Sequence, residues 1–165
     1  MRGRIYLSIL LMASIAVFTA CEPKPQTIHI GSEDCAYCRM IITEPEYASQ
    51  ILNKHGRAYS FDSIECMAAY DIRNDATAEM DIHSRWVPDF EGNSDWIPAR
   101  EAFYLHSETL RSPMGLFLSA YPNNYTAESF KSAYQGEILS YDGVKQLVTQ
   151  EWNPASRTGN SHQHH

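Results

Sequence analysis

Gly56-Arg-Ala-Tyr-Ser-Phe-Asp-Ser-Ile64 is matched 80 residues later by Gly136-Glu-Ile-Leu-Ser-Tyr-Asp-Gly-Val144. The two segments share Gly, Ser, an aromatic residue, Asp and a β-branched aliphatic residue at equivalent positions. Each predicts a short strand followed by a helix, with Asp62 or Asp142 as the N-cap. A shared order of features at one offset is evidence of an internal duplication. We therefore expect two related halves.

The residues on either side of these segments predict the remaining elements. In the first half they predict strands over 48–53 and 57–61, joined by the reversal at 54–56, then a helix after Asp62 and a half-exposed strand over 80–86. In the second half they predict a strand over 117–121, a helix over 126–134, a strand over 137–139 and a last helix over 142–149. Strands and helices interleave without a long βαβ rhythm, which favours an α+β fold over a doubly wound sheet.

The N-terminus has the pattern of a bacterial lipoprotein leader. Arg2 and Arg4 precede an apolar run over 5–18, and Ala20 stands directly before Cys21. The run is too short for a permanent membrane span and is typical of a signal peptide. We expect cleavage after residue 20, lipidation of Cys21 and attachment to a membrane by the lipid alone.

The rest of the chain divides by composition. Residues 21–26 are polar and contain proline, which predicts an extended tether. Residues 27–152 are predicted to form one domain with half-repeats at about 27–90 and 91–152. Residues 153–165 have no periodicity and few apolar groups, which predicts a disordered tail.

Charge and residue usage exclude several classes of function. The formal net charge is −7, and it becomes −9 when the leader takes Arg2 and Arg4 with it. Such an acidic chain without a basic stripe is not expected to bind nucleic acid. We find no nucleophile motif, phosphate loop or metal-hydrolase signature, and so predict that the protein is not an enzyme.

The strongest chemical signal is Cys35-Ala-Tyr-Cys38-Arg-Met40, with two thiols and a thioether in one short loop. Soft sulfur ligands at this density select Cu(I), or less selectively Zn(II), over hard cations. A redox pair and a structural disulfide between Cys35 and Cys38 are the alternatives. The segment before the loop lacks strand character, and Glu33 and Asp34 would raise a thiol pKa, so a thioredoxin-like pair is less favoured.

Several ordered motifs resemble the NosL family of copper-binding lipoproteins. They are Cys35-Ala-Tyr-Cys38-Arg-Met40-Ile-Ile, Tyr47-Ala-Ser-Gln50, Ser60-Phe-Asp-Ser-Ile-Glu-Cys-Met67, Trp96-Ile-Pro-Ala-Arg-Glu-Ala102 and Ser112-Pro-Met-Gly115. The resemblance covers nearly the whole mature domain. It implies two related ββαβ modules, like those of organomercurial lyases. It also implies a Cu(I) chaperone on the periplasmic face of a membrane, serving assembly of the nitrous oxide reductase copper-sulfide cluster.

The resemblance further implies the metal ligands and the partners. Carried over to this sequence, the ligands are Cys38, Met40 and Met114, with Cys35 as a further candidate. The two methionines would face each other across an approximate twofold axis. The expected partners are nitrous oxide reductase or its maturation ABC-transporter complex. Arg39 departs from the family pattern, which usually has Gly there, and Arg adopts a positive φ only at a cost.

Other potential ligands have simpler explanations. Cys66 and Met67 lie near the apolar face of the predicted helix, where free Cys and Met are ordinary core residues. His106 lies in a strand-like stretch near the Met114 turn and is a less favoured ligand. Whether Cys35, Cys66 or His106 completes a metal site is open from the sequence.

Overall fold

The computed structural model describes residues 22–92 and 96–153, which form two antiparallel sheets and three helices. The first sheet has the strand order β2-β1-β3-β4, and the second has the order β6-β5-β7. The strands are β1 Ser49–Asn53, β2 Ala58–Phe61, β3 Ile82–Val87, β4 Ile97–Pro98, β5 Phe103–His106, β6 Leu118–Tyr121 and β7 Glu137–Leu139. The helices are α1 Ile64–Thr77, α2 Asn124–Tyr134 and α3 Tyr141–Trp152.

Each half of the chain is a ββαβ module. In the first, β1 pairs with both β2 and β3, and α1 connects β2 to β3. In the second, β5 pairs with both β6 and β7, and α2 connects β6 to β7. The α+β fold of two related ββαβ modules, expected from the sequence, is confirmed. The division at about residue 90 stays a prediction.

The predicted 80-residue offset matches the wrong elements. It matches β2 and α1 with β7 and α3, whose places in the fold differ. By topology β2 corresponds to β6 and α1 to α2, an offset of 60 residues. The N-caps of these two helices, Ser63 and Asn123, share φ values of −153° and −154° and a ψ of 161°. The second half contains two junctions between a strand and a helix, so a shared Gly-Ser-aromatic-Asp pattern at one of them does not make it the counterpart of the junction between β2 and α1.

Serine residues cap both helices for which the sequence indicated aspartate. The Ser63 hydroxyl accepts a hydrogen bond from the Cys66 N–H at 3.2 Å, so Asp62 lies one residue before the cap. The Ser140 hydroxyl accepts from the Gly143 N–H, and Asp142 lies in the first turn of α3, where the helix dipole favours an acid. The predictions of Asp62 and Asp142 as N-caps were therefore wrong by one and two residues.

A continuous core joins the two modules and includes Cys35, Cys66, Tyr104 and Val144. A buried ion network reinforces it at Asp71 of α1. The Asp71 carboxylate accepts from Arg85 of β3 at 2.8 and 2.5 Å and from the Tyr141 hydroxyl of α3 at 3.1 Å. These bonds fix α1 between the first sheet and the last helix.

Residues 1–21 and 154–165 lie outside the described residues, and with them the predicted signal peptide, Cys21 and nearly all of the predicted tail. Gln26, at the end of the predicted tether, is bound to the first sheet: its N–H donates to the Gln50 side chain at 2.8 Å. Within residues 22–92 and 96–153, no helix has both the length and the apolar character needed to cross a bilayer.

Candidate metal centre

The loop from Cys35 to Met40 closes on itself. The Cys35 N–H donates to the Met40 carbonyl at 2.8 Å, and the Arg39 N–H donates to the Cys35 carbonyl at 3.0 Å. The turn needs a left-handed residue, and Arg39 supplies it with a φ of 68°. The conformation usual for glycine is thus kept despite the side chain, at a cost in backbone strain.

The three sulfur-containing residues of this closed loop differ in their exposure. Cys35 is 0% exposed, Cys38 is half-buried, and Met40 is 54% exposed. The Ala36 N–H donates to the Ser60 carbonyl of β2 at 2.8 Å and so holds the loop against the end of that strand. The loop therefore connects the buried core to solvent through a short series of sulfur atoms.

Four potential metal donors lie close together, two from the loop and two from the residues that follow β2. The sulfur atoms of Cys35, Cys38 and Cys66 and a carboxylate oxygen of Asp62 all lie within 4.8 Å of one another. We call these four residues the thiol cluster. Cys66 lies in the first turn of α1, and Asp62 follows β2 directly. The three cysteines are free thiols, so the disulfide alternative is not the state of this structure.

Cys35 has the lowest pKa of the three thiols in the cluster. Its pKa is lowered from 9.0 to about 6, chiefly because the Cys66 thiol donates a hydrogen bond to its sulfur. Burial opposes this effect, while backbone N–H groups of Cys38, Asp62 and Tyr37 add to it. The expectation from Glu33 and Asp34 of a raised pKa at this loop is wrong for Cys35, because groups distant in sequence surround its sulfur.

The other two thiols hold their protons. The pKa of Cys66 is raised because its proton is shared with Cys35 and because it is buried. The pKa of Cys38 is raised to about 12, with burial as the largest cause and the charges of Cys35 and Asp62 adding to it. The Cys38 thiol donates to Asp62 Oδ2 at 3.6 Å.

Asp62 is itself incompletely bonded. It is 2% exposed, and its Oδ1 atom has no hydrogen-bond partner among the described residues. A buried carboxylate oxygen without a partner is costly unless a cation or proton occupies the space beside it. One thiolate, two protonated thiols and this oxygen form a site that a soft cation can enter by displacing protons.

A family model described as NosL matches residues 26–149, a span that includes the loop, the thiol cluster and both modules. The chain belongs to the NosL family. The chain is 26% identical over 149 residues to the copper-binding lipoprotein NosL of Stutzerimonas stutzeri, covering 86% of this chain and 76% of the relative.

A solved NosL structure has the same fold. It is the crystal structure of the copper chaperone NosL from Shewanella denitrificans, with a TM-score of 0.63 and 21% sequence identity. The similarity covers 75% of this chain and 97% of that one. At this identity the match supports the fold alone.

The remaining predicted ligands of this NosL chain lie at different depths. Met114 is half-buried in the turn before β6 and packs against the core that contains Cys35 and Cys66. His106 is half-buried at the end of β5. Among the described residues, no histidine belongs to the thiol cluster.

Sequence reasoning missed the role of Asp62 and underestimated Cys66 in this NosL domain. Cys66 is buried, as expected for a core residue, but its sulfur also meets those of the loop. A signal was present in the chain order, because Cys66 lies in the first turn of the helix that begins two residues after Asp62, which keeps the two residues close together.

Proposed function

We propose that this protein is a lipid-anchored copper chaperone that binds Cu(I) at the loop over 35–40 and passes it to a partner. The observation that carries the proposal is the convergence of three cysteine sulfurs and a carboxylate at the loop that also carries the exposed Met40. Soft thiolate and thioether donors favour Cu(I) over hard cations. The names of the Stutzerimonas and Shewanella relatives support the same metal.

The proposed ligands of the transferable ion are Cys38, Met40 and Met114, with Cys35 as the inner sulfur. Cys38 is the least buried of the three thiols in the cluster, and Met40 is exposed. An ion bound there is reachable by the sulfur ligands of an acceptor, so it can leave by stepwise ligand exchange. Asp62 already accepts the hydrogen bond of the Cys38 thiol and can take the proton that the ion displaces from Cys38, while Cys66 keeps its own proton.

The proposed location is the periplasmic face of a bacterial membrane, with Cys21 as the lipidated residue. The proposed acceptor is nitrous oxide reductase or its maturation ABC-transporter complex, for assembly of the copper-sulfide cluster. The Stutzerimonas relative is named a lipoprotein, which supports the anchor. In this proposal the chain carries a metal and has no catalytic turnover.

A thiol redox enzyme using Cys35 and Cys38 is the less favoured function. Such an enzyme needs its attacking thiol to be both exposed and acidic. Here the acidic thiol, Cys35, is buried, and the more accessible Cys38 has a pKa raised to about 12. We expect the metal-free protein not to reduce the disulfides of insulin, and rapid reduction would support the redox function instead.

A competition titration against a Cu(I) chelator tests the ligand assignment. Cys38→Ala should weaken Cu(I) binding by more than about 100-fold, since even the loss of an outer-shell partner costs roughly 10- to 100-fold. Met40→Leu and Met114→Leu should weaken it less, because they remove neutral donors and conserve volume. Met80→Leu is the matched control, since Met80 also packs against the core and should leave the affinity unchanged.

Two outcomes would contradict the proposal. One is equal Cu(I) affinity in the wild type and Cys38→Ala. The other is displacement of Cu(I) by an equal concentration of Zn(II). Transfer is tested separately by mixing the Cu(I)-loaded protein with metal-free nitrous oxide reductase and following the metal content of each after separation.

A further inference from the structure

Glu65 is a buried acid that neither packs as a core residue nor belongs to the thiol cluster. It is the second residue of α1, directly before Cys66, and it is 0% exposed. Burying a carboxyl group costs free energy that an apolar residue of the same size would not. Hydrogen bonds to the buried carboxyl group are expected to offset this cost.

The partner is the turn that carries Met114. Glu65 Oε1 accepts hydrogen bonds from the Ser112 hydroxyl and from the Leu116 N–H, the latter at 3.2 Å. These two residues lie on either side of Met114, so one oxygen atom holds both ends of its turn. The contacts join residues 47 and 51 positions apart in sequence and connect the two modules.

The turn contains one residue, Phe117, in a backbone conformation that its side chain does not favour. Gly115 and Phe117 have φ values of 81° and 55°, and the second is unusual for a bulky side chain. The Ser112 hydroxyl, while donating to Glu65, accepts from the Phe117 N–H at 2.9 Å. Strained backbone of this kind persists only when the surrounding contacts determine it. Glu65 supplies those contacts through Ser112.

Met114 packs against the core that contains Cys35 and Cys66, so the Glu65 carboxyl group, by bonding both ends of the Met114 turn, holds that turn against this part of the core. We propose that Glu65 is a positioning residue that fixes the Met114 thioether beside the thiol cluster and thereby sets the affinity for the soft metal ion. This inference rests on the proposed Cu(I) function. A neutral thioether binds weakly by itself, and a preformed position removes the ordering cost of its loop.

The test is a double-mutant cycle read by the Cu(I) competition titration. Glu65→Leu removes the oxygen that accepts both hydrogen bonds and should weaken Cu(I) binding about tenfold, the loss expected from one hydrogen-bonded group. Glu65→Gln keeps an oxygen that accepts the same two bonds and should restore most of the affinity. In a Met114→Leu background, Glu65→Leu should have no further effect, because the ligand that it positions is absent.

A second readout separates positioning from general stability. With methyl-labelled methionine, the Met114 ε-methyl resonance should shift on addition of Cu(I) in the wild type and Glu65→Gln, and should not shift in Glu65→Leu. Urea unfolding is measured in parallel, because a purely structural role lowers stability without changing the Met114 response. If Glu65→Leu does not fold, Ser112→Ala takes its place, since it removes one of the two bonds to Glu65.

Each result has a definite meaning. The inference would be overturned if Glu65→Leu weakened Cu(I) binding by the same factor in the wild type and in Met114→Leu. It would also be overturned if Cu(I) shifted the Met114 ε-methyl resonance in Glu65→Leu as it does in the wild type. Those results leave the copper function intact. Failure of the wild type itself to bind Cu(I) would instead overturn the proposed function, and the positioning role with it.

Discussion

The pKa of Cys35 makes the stability of the metal-free, reduced protein depend on pH in a defined window. In the folded state this pKa is about 6, and its ordinary value is 9.0. Between those two values the unfolded chain binds the proton and the folded chain does not. The free energy of unfolding should therefore rise with pH from 6 towards 9, and this stabilisation should be lost as the pH falls through 6.

The size of the effect follows from the shift. Each pH unit within the window contributes at most about 1.4 kcal/mol for one group. Between pH 6 and pH 8 the folded Cys35 is increasingly ionised while the unfolded Cys35 stays mostly protonated, which gives a gain of roughly 2 kcal/mol. The thiol of Cys66 donates the largest stabilising contact, so Cys66→Ala should reduce this gain.

Urea unfolding is measured at pH 6, 7 and 8 in the presence of a reductant and a metal chelator. The contribution of Cys35 is the increase in the free energy of unfolding of the wild type minus the increase found for Cys35→Ala. Taking the difference removes the pH dependence that the two proteins have in common. Cys38→Ala is the control: its pKa of about 12 keeps the Cys38 proton bound throughout the window, so this variant should retain the wild-type slope.

A wild-type slope that persists unchanged in Cys35→Ala would refute the assignment of Cys35 as the thiolate. A wild-type free energy of unfolding that does not change between pH 6 and pH 8 would also refute this assignment. Loss of the slope in Cys38→Ala would show that Cys38 ionises first, and the electrostatics of the loop would then have to be reassigned.

Three further variants test the loop, the core and the anchor. Arg39→Gly should raise the free energy of unfolding by about 1 kcal/mol in denaturant titrations, because it relieves a residue with a φ of 68°; Arg39→Ala, which keeps the strain, should not raise it. Asp71→Asn should lower stability by roughly 3 kcal/mol, because it leaves the buried end of Arg85 without its carboxylate partner, and a loss below about 1 kcal/mol would mean that the network is dispensable. Cys21→Ser should abolish lipidation and release the protein from membranes, and unchanged partitioning with an unmodified N-terminus on mass spectrometry would contradict the lipoprotein assignment.

Local patterns in the sequence predicted the positions of strands and helices well. They did not predict which elements of the two halves are equivalent. The strands at 48–53 and 57–61 and the helix at 126–134 were each found to within two residues of β1, β2 and α2. The 80-residue offset matched elements that are not equivalent, because a strand followed by a capped helix is specified by a few neighbouring residues and can occur more than once in a chain. Only the pairing of strands in a sheet distinguishes β6 from β7.

The sequence by itself determined most of the individual strands and helices, the sulfur-rich loop and the resemblance to a family, because each of these depends on short segments of the chain. The tertiary structure alone brought Asp62 and Cys66 to Cys35 and Cys38, since this required β1 and β2 to pair and the loop to dock on the end of β2. The tertiary structure also lowered the pKa of Cys35 and placed Glu65 where it bonds the turn around Met114. A thiol pKa and a buried hydrogen bond depend on neighbours that are distant in the chain, and folding alone selects those neighbours.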